Sequence, residues 1–166
     1  MKYFTCTLLI FICICSCTTS TAQGRFAGSM KQYIGKSYSD EKHVPWLKSY
    51  NYGGGSIISP VDDATQFCSF LYQKGNSVVV FFTQGESGKP FAVIDVLEIK
   101  NIQPSWKVRI IDCDNGNEGA NNIVAMVRAQ KGKKDIVLKA WRCNMDKIRF
   151  EAMGTKLVHC SGDEQF

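Results

Sequence analysis

Two histidines, His43 and His159, are the only side chains that ordinarily titrate near neutral pH. Eight cysteines could supply nucleophiles, metal ligands or disulfides. A Cys-His hydrolase needs a thiolate beside a base, with a third group orienting that base. His159 directly precedes Cys160, and strand alternation points such neighbours to opposite faces. Cys68 and His43 could meet in space, but Cys68 has no nucleophile-elbow context, and His43 is expected on an exposed loop. Asp62, Asp63, Asp95 and Glu98 qualify by type for the paired carboxylates of glycoside cleavage, which stand roughly 5 to 10 Å apart. Asp95 is set apart as an acid within the apolar stretch 92–97. Such an acid is ordinarily solvent-facing or salt-bridged.

Several motifs fail on their spacing. Gly35-Lys36-Ser37 resembles the end of a P-loop, yet the first glycine of that motif would fall on Met30. Asp112-Cys113-Asp114-Asn115-Gly116-Asn117-Glu118-Gly119 is oxygen-rich like a calcium loop. In the EF-hand register, however, the invariant glycine falls on Asn117 and the bidentate acid on Ile123. Lys131-Gly132-Lys133-Lys134 is a basic turn without interleaved aromatics, a poor match to a nucleic-acid surface. These readings assign no catalytic, cofactor-binding or metal-ligating residue. Tyr50-Asn51-Tyr52, ahead of Gly53-Gly54-Gly55, has the composition of an adaptable contact loop, with ordinary packing as the simpler reading.

Residues 1–22 are laid out as a secretory signal peptide: one charge at Lys2, an apolar run over 7–15, then small residues. The stretch is short for a bilayer span of roughly 20 apolar residues, so no transmembrane helix is expected in the mature chain. Ser20-Thr21-Ala22 suits cleavage before Gln23. Ile14-Cys15-Ser16-Cys17 suits a lipobox, which would remove residues 1–16 and acylate Cys17 as a membrane tether. Residues 23–29 then read as a tether and 30–166 as one globular domain. Of 20 basic and 15 acidic residues, cleavage removes only Lys2 and leaves an excess of four positive charges. That excess is too small for a nucleic-acid-binding profile.

Export changes the meaning of the cysteines. Cys6, Cys13, Cys15 and Cys17 belong to the presequence, whereas Cys68, Cys113, Cys143 and Cys160 remain. In an oxidising compartment these suggest up to two disulfides, and none has the CxxC spacing of a redox or zinc site.

The elements that must hold these residues are mostly strands. Short runs rich in Val, Ile and Phe predict strands over 78–83, 91–99, 106–113, 122–129, 135–143 and 147–152, with a last one over 157–160. A short helix is expected over 30–34, and the triple glycine is either a flexible break or a close approach of backbones. Ser59-Pro60-Val61-Asp62 has the form of a helix start. The stretch 67–73 nevertheless favours a strand turning back through Lys74-Gly75-Asn76. An up-and-down order would bring Cys68, Cys113, Cys143 and Cys160 to one end of a single sheet. Cys113 with Cys160 is then the first pairing expected, leaving Cys68 with Cys143.

Val93-Ile94-Asp95-Val96-Leu97-Glu98, Asp112-Cys113, Ile123-Val124-Ala125-Met126-Val127, Ala140-Trp141-Arg142 and Val158-His159-Cys160 together resemble small exported proteins of Gram-negative bacteria without an assigned activity. The resemblance covers about the C-terminal half and implies an envelope location but no catalytic residue. The expectation is an α+β domain dominated by an antiparallel meander, in the periplasm or held as an outer-membrane lipoprotein. It is expected to act as a non-catalytic module binding a protein or another envelope ligand. An inhibitor of an envelope-targeting hydrolase and a small periplasmic hydrolase are the alternatives.

Overall fold

The structure is a computed structural model that describes residues 29–59, 64–116, 122–130 and 133–161. Its first sheet contains β1 (Ser37–Tyr38), β2 (Asn51–Ile57), β3 (Gln66–Lys74), β4 (Ser77–Gly85) and β5 (Phe91–Ile99). They lie in the order β1-β5-β4-β3-β2, with every neighbouring pair antiparallel. The centre belongs to β4 because its sequence is apolar without alternation: Val79, Val80, Phe81 and Phe82 are all fully buried. A strand with both faces covered reads as a continuous hydrophobic run. Burying each large side chain contributes about 1.5–3 kcal/mol. The tight turn from β3 to β4 is made by Gly75, which takes a left-handed φ of 56°.

The second sheet contains β6 (Trp106–Arg109), β8 (Ile123–Arg128), β9 (Ile136–Asn144) and β10 (Arg149–Met153), in the order β10-β9-β8-β6. Between β6 and β8 the chain places β7 (Cys113–Asp114), which pairs with β11 (His159–Cys160) in a small separate ribbon. The core follows these layers. Leu71, Val78, Val80 and Phe82 on one face of the first sheet pack with Val124 and Cys143 of the second. The other face carries Cys68, Phe70, Tyr72, Val79 and Phe81 and is covered by Tyr38, Val44 and Leu47 from the segment before β2. On the far side of the second sheet, Ile123, Ala125, Val127 and Ala140 pack with Cys113, Val158 and Cys160.

The expected strands are present, and 67–73 forms a strand, β3. Of the alternative helix start, Ser59 accepts through Oγ from Phe67 N at 3.0 Å, while Pro60, Val61 and Asp62 lie outside the described set, as do residues 1–28 with Cys17. Other expectations need correction. The helical segment is a single 3-10 turn, Met30–Tyr33, so the α part of the expected α+β class goes no further among the described residues. Two stacked meanders replace the single sheet. The predicted strand over 106–113 stops at Arg109 and resumes as β7, with Asp112 at a left-handed φ of 61° between them. The triple glycine lies inside β2. A Cβ on Gly53 would sit 2.4 Å from Leu71 Cδ2, and one on Gly55 2.5 Å from Phe70 Cδ1, so close approach is the reason for these residues.

The cysteines divide differently from the expectation. Cys113 and Cys160 stand directly opposite each other across the β7–β11 ribbon and form a disulfide. Cys68 and Cys143 are free, buried thiols. Cys68 packs on the outer face of the first sheet and Cys143 between the two sheets, so the first sheet stands between them. That separation removes the expected second disulfide, because a bond needs Cα atoms within about 7 Å.

Candidate functional site

The face of the first sheet beneath the segment before β2 is an aromatic layer. Tyr38 makes an edge contact with Phe70 at 6.2 Å between ring centroids, and Phe70 meets Phe91 edge-on at 5.2 Å. Tyr72 packs against Phe81 at 5.2 Å and against Tyr52 at 5.8 Å. Period-2 alternation puts Cys68, Phe70 and Tyr72 of β3 on this one side. The layer does not close over the start of β3. There a cavity of about 230 Å³ opens, lined by Tyr52, Gly55, Cys68, Phe70 and Phe91, with Glu41 from the loop above.

Each wall has a local cause. Gly55 stands opposite Phe70 in the β2–β3 register, and its missing side chain lets the Phe70 ring pack directly against the β2 backbone beside the Tyr52 hydroxyl. Cys68 forms part of the lining, its thiol pushed up to about 11 by burial and then by the charge of Glu41. Such a thiol stays protonated near neutral pH and is a poor nucleophile. Burial also raises the phenols of Tyr38 and Tyr72, so both are neutral hydroxyls. Among the described residues, neither hydroxyl has a hydrogen-bond partner of good geometry. Glu41 is partly buried, and no ion pair joins it to another described residue.

The residues singled out in the sequence are scattered. His43 is exposed and donates from Nδ1 to Asp40 Oδ2 at 2.7 Å, a contact that lowers the Asp40 carboxyl below its usual range. Neither His43 nor Asp95 lines the cavity above Cys68. Asp95 is instead a bridge: its Oδ1 accepts from Val96 N at 2.8 Å and its Oδ2 from Phe150 N at 2.7 Å. It borders a separate, larger groove of about 490 Å³ with Glu98, Trp141 and Phe150. Glu98 pairs there with Lys100 at 3.0 Å. Asp62, Asp63, Lys131 and Gly132 lie outside the described residues, as do Asn117, Glu118 and Gly119 of the oxygen-rich loop. In the described part of that loop, Asp114 Oδ1 accepts from Gly116 N and shapes a turn. His159 is exposed beside Cys160 in β11, in register with Asp114.

Tyr50 and Tyr52 pack partly buried against the aromatic layer, and Lys74 Nζ lies 5.7 Å from the Tyr50 ring centroid. Glu41 had no signal in the sequence, because its position depends on how the loop folds over β2 and β3. Tyr52 and Gly55 did carry one: aromatic residues next to glycines in an apolar chain. No helix among the described residues is long and apolar enough to cross a membrane. No family model matches this chain, and neither the curated proteins nor the solved structures contain a match, so the cavity is read from its own chemistry.

Proposed function

We propose that this chain is an exported, non-catalytic binding module of the cell envelope whose ligand sits in the cavity above Cys68. Export rests on the layout of residues 1–22, with a free chain starting at Gln23 or a lipoprotein tethered through an acylated Cys17. The Cys113–Cys160 disulfide agrees with an oxidising compartment.

One observation carries the binding reading. Glu41 is partly buried at an aromatic cavity, without an ion-pair partner among the described residues. The cavity opens to solvent, so a ligand entering it would cover apolar surface of Tyr52, Phe70 and Phe91. A ligand of opposite charge would also give the Glu41 carboxylate an ion-pair partner. The site is also held rigidly, since its lining comes largely from β2 and β3, backed by the fully buried β4.

Two measurements test this reading. Mass spectrometry of the mature protein should find either an acylated Cys17 or an N-terminal Gln23, and an intact Met1 would sink the export reading. Nuclear magnetic resonance titration with small cationic, neutral and anionic aromatic compounds should move the amide signals of Gly55, Cys68 and Phe70 together. If no compound moves them, the binding reading is wrong.

A further inference from the structure

We infer that the cavity above Cys68 selects a small organic cation: an ammonium group against Glu41, with an apolar body among the rings of Tyr52, Phe70 and Phe91. This rests on the binding reading and specifies its ligand class. Among the described residues, the lining contains one carboxylate and no lysine, arginine or histidine. An anionic ligand would face Glu41 without compensation, whereas a cation would find its opposite charge and the negative faces of the rings.

The same aromatic layer already accepts cations from the chain itself. Lys36 Nζ lies 5.0 Å from the Tyr33 ring centroid and 5.4 Å from that of Trp46. Lys74 Nζ lies over Tyr50. Tyr52, Phe70 and Phe91 receive no such lysine or arginine among the described residues. Tyr52 and Phe91, each partly exposed, thus have no internal cation near the Glu41 carboxylate, while the buried Phe70 ring backs the site.

The neutral neighbours sharpen the selection. The Cys68 thiol is protonated and the Tyr38 and Tyr72 phenols are neutral, so among the described residues the Glu41 carboxylate alone gives the lining a negative charge. A cavity of about 230 Å³ is smaller than the roughly 300–1,000 Å³ of pockets for drug-sized ligands. The ligand is thus a compact amine or quaternary ammonium compound. Gly55 fixes one wall: the Phe70 ring packs so closely on it that a Cβ there would lie 2.5 Å from Phe70 Cδ1 and 3.0 Å from the Tyr52 hydroxyl.

The test compares benzylammonium with its neutral counterpart, benzyl alcohol, by calorimetry on the mature protein at neutral pH. Benzylammonium should bind about tenfold more tightly or better, and Glu41→Gln should erase the difference while leaving the melting curve in place. Gly55→Ala should weaken both ligands, with circular dichroism reporting whether the sheet is kept. Equal binding of the two probes to the natural protein would overturn the cation inference and leave the binding module standing. Binding of neither, with unmoved Gly55 and Cys68 signals, would overturn both.

Discussion

The carboxylate of Asp95 accepts the backbone N–H of Phe150 at 2.7 Å, joining two residues 55 positions apart and two different sheets. Asp95 lies on β5 at a register shift opposite β4, and Phe150 lies on β10. The second carboxylate oxygen takes the N–H of Val96. Two strand edges that would otherwise present free donors are thereby joined through one side chain. An acid in this place also discourages a further strand from adding to either edge.

Replacing Asp95 by Ala should therefore destabilise the protein by about 2 kcal/mol, because donors lose charge-assisted partners. Asp95→Asn, which keeps one carbonyl acceptor, should fall between the two. Urea unfolding measures both; a loss below about 0.5 kcal/mol for the alanine variant would show that the bridge contributes little.

Arg109 forms the other buried link. Its Nε donates to Asp135 Oδ2 at 2.9 Å, Nη2 makes an ion-pair contact with the same oxygen at 2.8 Å, and the Asp135 side chain is only 2% exposed. Arg109→Ala would leave that carboxylate buried without its cation, at a cost of about 3–5 kcal/mol. Replacing both residues by apolar ones of similar volume should recover much of the loss. Paired urea curves for the single and double variants check this.

The disulfide closes a separation of 47 residues between Cys113 and Cys160. Loop-closure entropy for that length corresponds to about 4 kcal/mol. Reduction should lower the unfolding free energy by about 2–4 kcal/mol. Alkylation of the mature, unreduced protein in denaturant should label Cys68 and Cys143 and spare Cys113 and Cys160; protection of Cys68 and Cys143 would contradict this pairing.

Glu151 is held by Lys147, Arg149 and Asn144, which together lower its carboxyl from 4.5 to about 2. A group whose folded-state value is depressed adds stability above its unfolded value and loses it as the pH falls through the folded one. The contribution of this cluster should be full above about 4.5 and gone below about 2. Glu151→Gln should flatten that part of the stability profile, measured by thermal melts between these limits. An unchanged slope would refute the assignment.

Ile148, in the turn between β9 and β10, takes a φ of 53° although its side chain is β-branched. The left-handed conformation costs an L-residue with a Cβ roughly 1–2 kcal/mol. Ile148 is 46% exposed, so little packing is lost on substitution. Ile148→Gly should raise stability by about 0.5–1 kcal/mol after its greater unfolded-state entropy is counted. A lower melting temperature would mean that the side chain packs better than its exposure suggests.

The strands could be read directly from apolar runs and turn residues, since both act between near neighbours in the chain. The 91–99 strand has the predicted bounds, and the continuous run of Val78 to Phe82 is the central strand. The Cys113–Cys160 pair was also anticipated, although its setting is a separate ribbon rather than the end of one sheet. Asn51–Ile57 was missed because its glycines lower strand propensity, and only the close approach of Leu71 and Phe70 explains them.

Tertiary structure decided which faces meet. Alternation places Cys68 and Cys143 each on a face, but only the stacking of two meanders puts the first sheet between them. Asp95 stood out in the sequence as an acid among apolar residues. Its partner, Phe150 N, belongs to a strand that pairs in the other sheet. Glu41 shares the cavity with Cys68 because a loop folds across β2 and β3, a contact between distant residues that no local pattern encodes. Periodicity acts over a few residues and determined the strands here. Long-range burial and charge compensation act between faces, and they brought the candidate site together.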